Sequence, residues 1–529
     1  MVFQKVFAPF LMRTKALPLH LSLHEDSKYD QSCAFCNVST ENGFEVMWEE
    51  ARSRGPLTRV FVPLLIETTE PYYSRANQMI PVQSSLILLV ALSKLCNTAP
   101  AVSSGSITES VSAIPSSTDS AALSVTTVPF ASTDPNEPLW NIDSPDSAPS
   151  PVRGSLGASI IGPDNIPMDL ENADLFAPPT SDNGDTGNSK WPFALSHNRL
   201  QTGGWARQEN IEVMPIATAM ASVDMRLEAG AIRELHWHKT SEVNMIFWAY
   251  VLKGTSQITA VDTEGRNFIA NVRAGDLWFF PPGIPHSIQA TGDDPDGTEF
   301  LLIFDDGAFS EDSTFLLTDW LAHVPAEVIS KNFQVNNSEA FAHIPDKELY
   351  IFPSVVPPDD QQAPISPQGT IPQSYAFSLS SLNATQLSGG SVKIVDSTIF
   401  PISTTIAAAE VTVEPGAMRE LHWHPTMDEW SFFLEGTGRV TVFASQSNAR
   451  TFNYQAGDIG YVPTAMGHYV ENTGNTTLRF LEIFNSDRFQ DISLNQWLAL
   501  TPPSLVKAHL NLDDETISQL SKTKPIVIG

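Results

Sequence analysis

Two identical hexapeptides, Arg-Glu-Leu-His-Trp-His, are the residues of this chain that most clearly suggest chemistry; they occupy positions 233–238 and 419–424. Each is followed by a glutamate and, farther along the chain, by a proline-containing turn that ends in a histidine. Imidazole and carboxylate groups are ligands for divalent metal ions. The pattern therefore predicts two metal sites, one in each repeat. The predicted ligands are His236, His238, Glu242 and His286 in the first repeat, and His422, His424, Glu429 and His468 in the second.

β-strands have to position these ligands. Side chains alternate between the two faces of a strand, so both histidines of a His-x-His pair point to the same face. The glutamate then comes from the next strand, and the last histidine from a strand paired across the barrel. From about residue 190, short apolar runs are separated by Gly, Pro and Asp, and the second half repeats this order. The pattern predicts an all-β fold of two tandem barrels or sandwiches with short peripheral helices.

The spacing of both repeats resembles the two motifs of the cupin superfamily, over roughly residues 200–500. Further stretches are similar to microbial, especially fungal, oxalate decarboxylases: 275–281, 304–307, 317–322, 452–458 and 493–498. The resemblance implies two tandem cupin β-barrels of the jelly-roll type, each with one Mn2+, hence two ions per chain. It also implies that oxalate and a proton become formate and CO2, with O2 as a redox partner that is not consumed.

The same resemblance implies roles for four other residues. It places Arg233 and Arg419 in the sites, where a fixed cation polarises bound oxalate. Each Arg precedes its first histidine by three positions, so a bend or bulge has to bring it to the ligand face; a surface ion pair is the alternative. Glu311, in the polar segment 310–313, corresponds to the lid glutamate that donates the proton. Glu482 corresponds to an acid with a secondary catalytic or a structural role.

The first repeat is five residues longer than the second between its glutamate and its last histidine. The excess is segment 243–247, which separates Glu242 from Trp248, whereas Glu429 is directly followed by Trp430. An odd insertion reverses the alternation of a strand unless it is looped out as a bulge. We favour a splice-boundary artefact as its origin; the alternative is a genuine insertion that distorts the first site.

Composition limits the partners. The chain has 30 basic and 60 acidic residues, a net charge of −30 that argues against binding to nucleic acid or to an anionic membrane. Its three cysteines, Cys33, Cys36 and Cys96, precede both repeats, so the metal ligands are histidine and carboxylate. Oxalate is the expected substrate, and the resemblance implies a homo-oligomer, a hexamer. The rival functions are an oxalate oxidase that releases CO2 and H2O2, a non-catalytic bicupin storage protein, and a bicupin dioxygenase with Fe or Cu.

The N-terminal part has a different character. Residues 79–101 contain an apolar run and end in Thr-Ala-Pro-Ala, which is typical of a signal peptide and its cleavage site. We therefore expect residues 1–78 to be an extension of the gene model; a buried helix behind a genuine N-terminal domain is the alternative. Residues 102–189 read as a Ser/Thr/Pro/Asp-rich linker or propeptide. The cupin domains are expected at 190–345 and 346–529.

Three Asn-x-Ser/Thr sequons, at Asn336, Asn383 and Asn475, agree with a secreted glycoprotein. Together with the signal-like segment, they predict an extracellular protein, with the cell wall as one destination.

Overall fold

The computed structural model describes residues 166–238 and 247–529, together with the backbone of six short strands that precede them. The chain divides into two compact units, Met1–Ala121 and Ala122–Gly529. In the first unit, strands pair antiparallel as β1 (Cys33–Ser39) with β2 (Glu45–Ala51), β3 (Leu64–Thr68) with β6 (Ser84–Leu88), and β4 (Tyr72–Tyr73) with β5 (Met79–Ile80). Apart from these strands, the expectations for residues 1–165 lie outside the described residues, as do Glu242 and positions 243–246 of the insertion.

An N-terminal arm opens the second unit. It contains the helices α1 (Ile166–Glu171) and α2 (Ala173–Phe176) and the strand β7 (Lys190–Pro192). The carboxylate of Asp174 is buried and lies 2.9 Å from the guanidinium of Arg439, far along the chain. The C-terminal part of the predicted linker therefore packs against the second domain.

The first domain is a jelly-roll-like sandwich of two antiparallel sheets, which confirms the cupin fold, although the sheets do not close into the barrel that the resemblance implies. Its strands are β8 (Arg199–Gln201), β9 (Gly204–Glu209), β10 (Ala221–Leu227), β11 (Ile232–Trp237), β12 (Phe247–Lys253), β13 (Thr255–Val261), β14 (Asn267–Arg273), β15 (Leu277–Phe280), β16 (His286–Ala290), β17 (Thr298–Phe304), β18 (Phe315–Leu316), β19 (Ile351–Phe352) and β20 (Ala376–Phe377). One sheet has the order β20-β15-β12-β17-β10-β9-β8, and the other has the order β14-β13-β16-β11-β18 with β19 also paired to β11.

The second domain repeats this architecture. Its strands are β21 (Thr385–Leu387), β22 (Gly390–Val395), β23 (Ala407–Val413), β24 (Met418–Trp423), β25 (Glu429–Glu435), β26 (Thr437–Phe443), β27 (Ala449–Gln455), β28 (Asp458–Val462), β29 (Gly467–Asn472), β30 (Leu478–Phe484), β31 (Ile492–Ser493) and β32 (Val527–Ile528). The sheets have the orders β21-β22-β23-β30-β25-β28-β7 and β27-β26-β29-β24-β31, with β32 also paired to β24. Strand β24 thus takes the place that β11 has in the first domain.

The two domains exchange edge strands. Strand β7, which precedes the first domain, pairs with β28 of the second domain, and β20, which precedes the second, pairs with β15 of the first. Each domain therefore completes its larger sheet with chain that lies N-terminal to the other domain.

The larger sheets of the two domains pack against each other. In β17, Phe300 and Leu302 face the core of the first domain, whereas Leu301 and Ile303 belong to a cluster shared with the second domain. Both faces of the strand are buried, which explains why its sequence is continuously apolar instead of alternating. Burial of one large apolar face between the domains makes them a single packed unit.

Helices are short and peripheral. They are α3 (Leu317–Ala322), α4 (Ala326–Phe333), α5 (Leu494–Ala499), α6 (Pro503–Leu510) and α7 (Asp514–Ser518), with 3-10 turns at Phe193–Leu195, Glu311–Ser313 and Ser338–Phe341. Within the described ranges, no helix has the length and apolar character needed to cross a membrane.

Candidate metal centres

Both hexapeptides lie on equivalent strands, β11 and β24, and both contain a bulge. The pairing of β11 with β16 shifts register between Arg233 and His236, and β24 shifts against β29 between Arg419 and His422. A bulge changes which side chains share a face. As a result, each Arg is buried on the same side as the histidines despite its odd offset, with 1 % and 0 % exposure. Burial excludes the alternative of a surface arginine.

The second centre brings its four predicted ligands together. His422, His424, Glu429 and His468 are all buried, and their potential ligand atoms all lie within 4.8 Å of one another. The Nε2 atoms of His424 and His468 are each 3.0 Å from Oε2 of Glu429. One small cation fits between groups at these separations.

Backbone carbonyls orient the imidazoles of the second centre. The Nδ1–H groups of His422, His424 and His468 donate to the carbonyls of Glu420 at 2.6 Å, Gln490 at 2.8 Å and Met466 at 3.0 Å. Each ring therefore presents Nε2 to the interior, which is the usual arrangement of metal-binding histidines. The Nε2 of His422 is buried and has no hydrogen-bond partner among the described residues.

The electrostatic environments of His422 and Glu429 also suit a divalent cation. Burial, with the positive charge of Arg419 nearby, holds the pKa of His422 well below its usual range, so this ligand stays neutral. Burial opposes ionisation of Glu429, but His468 and His424 outweigh it and hold the pKa of Glu429 well below its usual range. Ser431 donates to the other carboxylate oxygen at 2.6 Å. The residues of the second centre thus fit a bound metal ion.

The first centre brings together three of its four predicted ligands. His236, His238 and His286 are buried side by side, with ring centroids 4.1–5.3 Å apart. The Nδ1–H groups of His236 and His286 donate to the carbonyls of Glu234 at 2.6 Å and Ile284 at 2.7 Å. Burial lowers the pKa of His286 to about 3, so this ring is neutral. Three neutral imidazoles provide a partial set of metal ligands.

Phe247 occupies the position in the first domain that Glu429 has in the second. Phe247 pairs with Phe280 on one side and Phe304 on the other, and Glu429 makes the equivalent pairs with Val462 and Phe484. Trp248 accordingly takes the place of Trp430. Glu242, the predicted fourth ligand, lies outside the described residues.

Arg233 forms a buried ion pair with Glu311. Its Nη2 lies 2.7 Å from Oε2 of Glu311, with side-chain exposures of 1 % and 7 %. Glu311 begins a 3-10 turn in the segment 305–314, which we call the lid loop, and its backbone N–H donates to Gln208 at 3.0 Å. The hydroxyl of Tyr350 donates to the same carboxylate oxygen at 3.2 Å. The lid loop therefore brings an acid to the arginine of the first centre.

Arg419 has different partners. Its Nε lies 3.0 Å from Oε1 of Glu482 and its Nη2 lies 2.7 Å from Oδ2 of Asp491, and all three side chains are fully buried. Burial raises the pKa of Glu482 although Arg419 opposes this, while Arg419 and Lys524 hold the pKa of Asp491 low despite its own burial. The predicted acid Glu482 thus lies beside the predicted Arg, bound in a fixed pair.

The glutamate inside each hexapeptide has a structural role that the sequence did not reveal. Glu234 accepts hydrogen bonds from the backbone N–H groups of Thr318, Leu349 and Tyr350 at 2.6–3.1 Å. Glu420 similarly accepts from Ile526 at 3.1 Å. Each carboxylate therefore connects its strand by hydrogen bonds to backbone segments farther along the chain. A motif residue of this kind resembles a ligand in sequence, and only its tertiary partners distinguish it.

The chain is similar to known proteins of one family. The Cupin family model matches residues 198–340 and 378–518. Oxalate decarboxylase OxdC of Bacillus subtilis (strain 168) is 52 % identical over 381 residues, which cover 72 % of this chain and 97 % of that protein. A probable oxalate decarboxylase of Arthroderma benhamiae is 40 % identical over 387 residues, covering 72 % of this chain and 93 % of that protein.

Solved structures of an oxalate decarboxylase are similar to this chain in both fold and sequence. A structure of Bacillus subtilis oxalate decarboxylase studied for its Mn(II) centers matches with a TM-score of 0.67 and 52 % identity, over 72 % of this chain and 99 % of that one. A structure of the same enzyme at pH 4.6 also gives a TM-score of 0.67, over 72 % and 98 % of the two chains. The chain thus belongs to the cupin family, in the two-domain form of the oxalate decarboxylases.

Proposed function

We propose that this protein decarboxylates oxalate to formate and CO2, with Mn2+ in each domain. The observation that carries the proposal is the buried pair of Arg233 and Glu311 in the domain where three imidazoles converge. It joins a cation for an anionic substrate to an acid for proton delivery. The 52 % identity to a Bacillus oxalate decarboxylase and the solved structures of its Mn(II) centers support the same substrate and ion.

Binding of oxalate requires local positive charge, because the net charge of −30 repels a dianion at long range. Arg233 is such a charge, and its Nε–H is buried without a hydrogen-bond partner among the described residues. A donor of this kind is available to a substrate carboxylate. When bound, Mn2+ supplies further positive charge that holds and polarises oxalate, and a redox centre for O2.

Glu311 is the proton donor in this proposal. Loss of CO2 from oxalate leaves a carbon that must gain one proton to become formate, so a general acid is required. Glu311 pairs with Arg233 on one side and lines a cavity of about 370 Å³ on the other, together with Arg199 and Asp312. A carboxyl group between the arginine and this cavity can exchange protons with solvent and deliver them inward.

The test is an assay of formate and H2O2 from oxalate with Mn2+-loaded protein of known metal content. We expect formate as the main product, and Glu311→Gln should lower its formation by about 10²–10⁴-fold, since general acids contribute factors of this size. Asp312→Asn is the matched control, because Asp312 is the next residue of the lid loop and its side chain is 81 % exposed.

Two results would contradict the proposal. Formate production by Glu311→Gln at the level of the unchanged protein would reject this proton donor. H2O2 as the main product of the unchanged protein would instead indicate an oxalate oxidase.

We further infer that the protein is secreted, glycosylated and homo-oligomeric, as a hexamer. The asparagines of its three sequons, Asn336, Asn383 and Asn475, are all exposed, which glycosylation requires. Trp320 and Trp497 are 58 % and 53 % exposed, and large exposed aromatic side chains favour contacts between copies. Mass spectrometry of protein recovered from culture medium tests glycosylation and the mature N-terminus, and light scattering tests the oligomeric state.

A further inference from the structure

We propose that Phe247 takes the place of the carboxylate ligand in the first centre, so that this centre binds Mn2+ more weakly than the second and discriminates less against Zn2+. The inference rests on the proposed function only for the choice of Mn2+ as the ion. It concerns metal binding, which can be measured without oxalate.

Phe247 and Glu429 occupy equivalent positions in the sheets of the two domains. Strand β12 begins at Phe247 and pairs with β15 and β17, and β25 begins at Glu429 and pairs with β28 and β30 in the same register. Equivalent positions on equivalent strands direct their side chains to the same side of the sheet. The side chain that points toward the three histidines of the first domain is therefore a phenyl ring.

The side chain of Phe247 packs against two histidines of the first centre. Phe247 is 3 % exposed. The centroid of its ring lies 5.2 Å from the ring centroid of His238 and 5.0 Å from that of His286. In the second domain, Oε2 of Glu429 lies 3.0 Å from the Nε2 atoms of the corresponding residues, His424 and His468. Phe280 and Phe304 pack on the other sides of Phe247. The phenyl ring thus fills apolar space beside the histidines where the second domain has an anionic oxygen.

The orientation of one imidazole is a second, independent difference. His424 donates from Nδ1 to the carbonyl of Gln490 at 2.8 Å, whereas both ring nitrogens of His238 lack hydrogen-bond partners among the described residues. Hydrogen bonds of this kind fix the tautomer and ring orientation of metal ligands, and their loss typically costs about 10–100-fold in metal affinity. Among the described residues, no such hydrogen bond fixes the orientation of His238.

The chemistry of the ions sets the direction of the effect. Mn2+ is held best where carboxylate oxygens join the imidazoles, while imidazole alone suits Zn2+, which also lies above Mn2+ in the general order of affinities. The described part of the first centre has a phenyl ring where the second has a carboxylate, so the charge of the ion is also less offset in a low-dielectric interior. The first centre should therefore lose more affinity for Mn2+ than for Zn2+.

The experiment is metal titration of the full chain after removal of bound metal, with content measured by mass spectrometry and Mn2+ followed by electron paramagnetic resonance. We expect one Mn2+ per chain to bind at least about 100-fold more tightly than the second. In an equimolar mixture of Mn2+ and Zn2+, the Zn2+ should enter mainly the first centre. Phe247→Glu should bring the two Mn2+ affinities together, and Phe247→Gln, of the same size but uncharged, should not.

The reciprocal variant and a deletion complete the design. Glu429→Gln should weaken Mn2+ binding at the second centre toward that of the first. Deletion of residues 243–247 joins Glu242 to Trp248 as Glu429 joins Trp430, so it decides the question if Phe247→Glu does not fold, as judged by circular dichroism. Equal affinity of the unchanged chain for two Mn2+, or equal effects of Phe247→Glu and Phe247→Gln, would overturn the inference. Correct metal content without formate production would instead reject the proposed function alone.

Discussion

The two centres have the same hexapeptide but surround its arginine differently. Arg419 lies between Glu482 and Asp491, which are both fully buried. Arg233 has one acidic partner among the described residues, Glu311, and this partner is on the lid loop. In the second domain the arginine is part of a fixed network, and in the first it meets an acid that borders a cavity.

The strand register shows where the two domains differ. Glu482 on β30 pairs with Ala409, and the residue that pairs in the same way with Val223 on β17 is Leu302. The first domain therefore has an apolar side chain where the second has a buried acid. The lid loop, 305–314, is also longer than its counterpart, 485–491. The strands that hold the histidines are alike in the two domains. Arg419 has both a core-strand acid, Glu482, and a loop acid, Asp491, whereas Arg233 has only the loop acid Glu311 among the described residues.

Removal of each arginine is the strongest test of this contrast. Arg419→Leu leaves the buried Glu482 without its cation and Asp491 with Lys524 alone, which typically costs about 3–5 kcal/mol. Arg233→Leu leaves only Glu311, and a loop residue can turn toward solvent, so we expect a loss of about 1–2 kcal/mol. Calorimetry of Mn2+-loaded protein should thus show a clearly larger decrease of the melting temperature for Arg419→Leu.

Arg479→Leu is the control for loss of a surface charge. Arg479 is 37 % exposed and pairs with the exposed Glu435, so its removal should cost less than about 1 kcal/mol. Equal destabilisation by Arg233→Leu and Arg419→Leu would mean that Glu311 is as firmly fixed as the acids of the second domain.

Much of the fold followed from local patterns in the sequence. His-x-His spacing placed two ligands on one face of a strand, and the repeat predicted two equivalent domains. The three-residue offset between Arg233 and His236 required a bulge, and the strand pairing contains one. These features depend on neighbouring residues, and alternation along a strand is visible in sequence.

Contacts between distant segments were not predictable in this way. Asp491 reaches Arg419 from the loop between β30 and β31, and Tyr350 reaches Arg233 from the position just before β19. No local period in the sequence marks either residue. The exchange of edge strands and the packing of the arm on the second domain likewise depend on tertiary structure. The insertion was visible as an excess length, but only the register shows that Phe247 occupies the place of Glu429.

A buried acid between the domains gives the next test, because only the first domain has it. Glu209 on β9 accepts hydrogen bonds from Ser222 at 2.9 Å and from Trp430 of the second domain at 3.1 Å. Its counterpart on β22 is Val395, which pairs with Ala408 as Glu209 pairs with Ser222. Burial raises the pKa of Glu209 from 4.5 to about 7.

The raised pKa of Glu209 makes the stability of the fold depend on pH. The folded carboxyl keeps its proton up to about pH 7, whereas the unfolded one releases it near 4.5, so stability falls as pH rises through this interval. The loss is roughly 1–3 kcal/mol. Glu209→Gln should therefore flatten the pH dependence of the melting temperature of Mn2+-loaded protein between about pH 5 and 8, because both domains then have a neutral side chain at this position. The exposed neighbour Glu212, changed to Gln, should leave the profile unaltered; an unchanged profile in Glu209→Gln would exclude ionisation of this residue.

Tyr350 provides the finest distinction between the centres, since its counterpart in the second domain is Ile526. The backbone carbonyls of Tyr350 and Ile526 accept hydrogen bonds from the backbone N–H groups of the hexapeptide glutamates, at 3.0 and 2.9 Å. Only Tyr350 has a hydroxyl, which donates to Glu311. Its ring also lies 4.0 Å from the guanidinium of Arg233. Tyr350→Phe keeps the ring and removes one hydrogen bond.

A single hydrogen bond to a charged group contributes about 1.5–3 kcal/mol, so Tyr350→Phe should lower kcat for formate by roughly 10–100-fold. We expect the pH profile of kcat to shift as well, because the hydroxyl contacts the proposed proton donor Glu311 directly, while KM changes little. Tyr469→Phe, which removes a hydroxyl bonded to Thr441 in the second domain, is the matched control. If both variants alter kcat equally without a shift of the pH profile, Tyr350 acts only through packing, and the hydroxyl that distinguishes the first centre has no part in proton delivery.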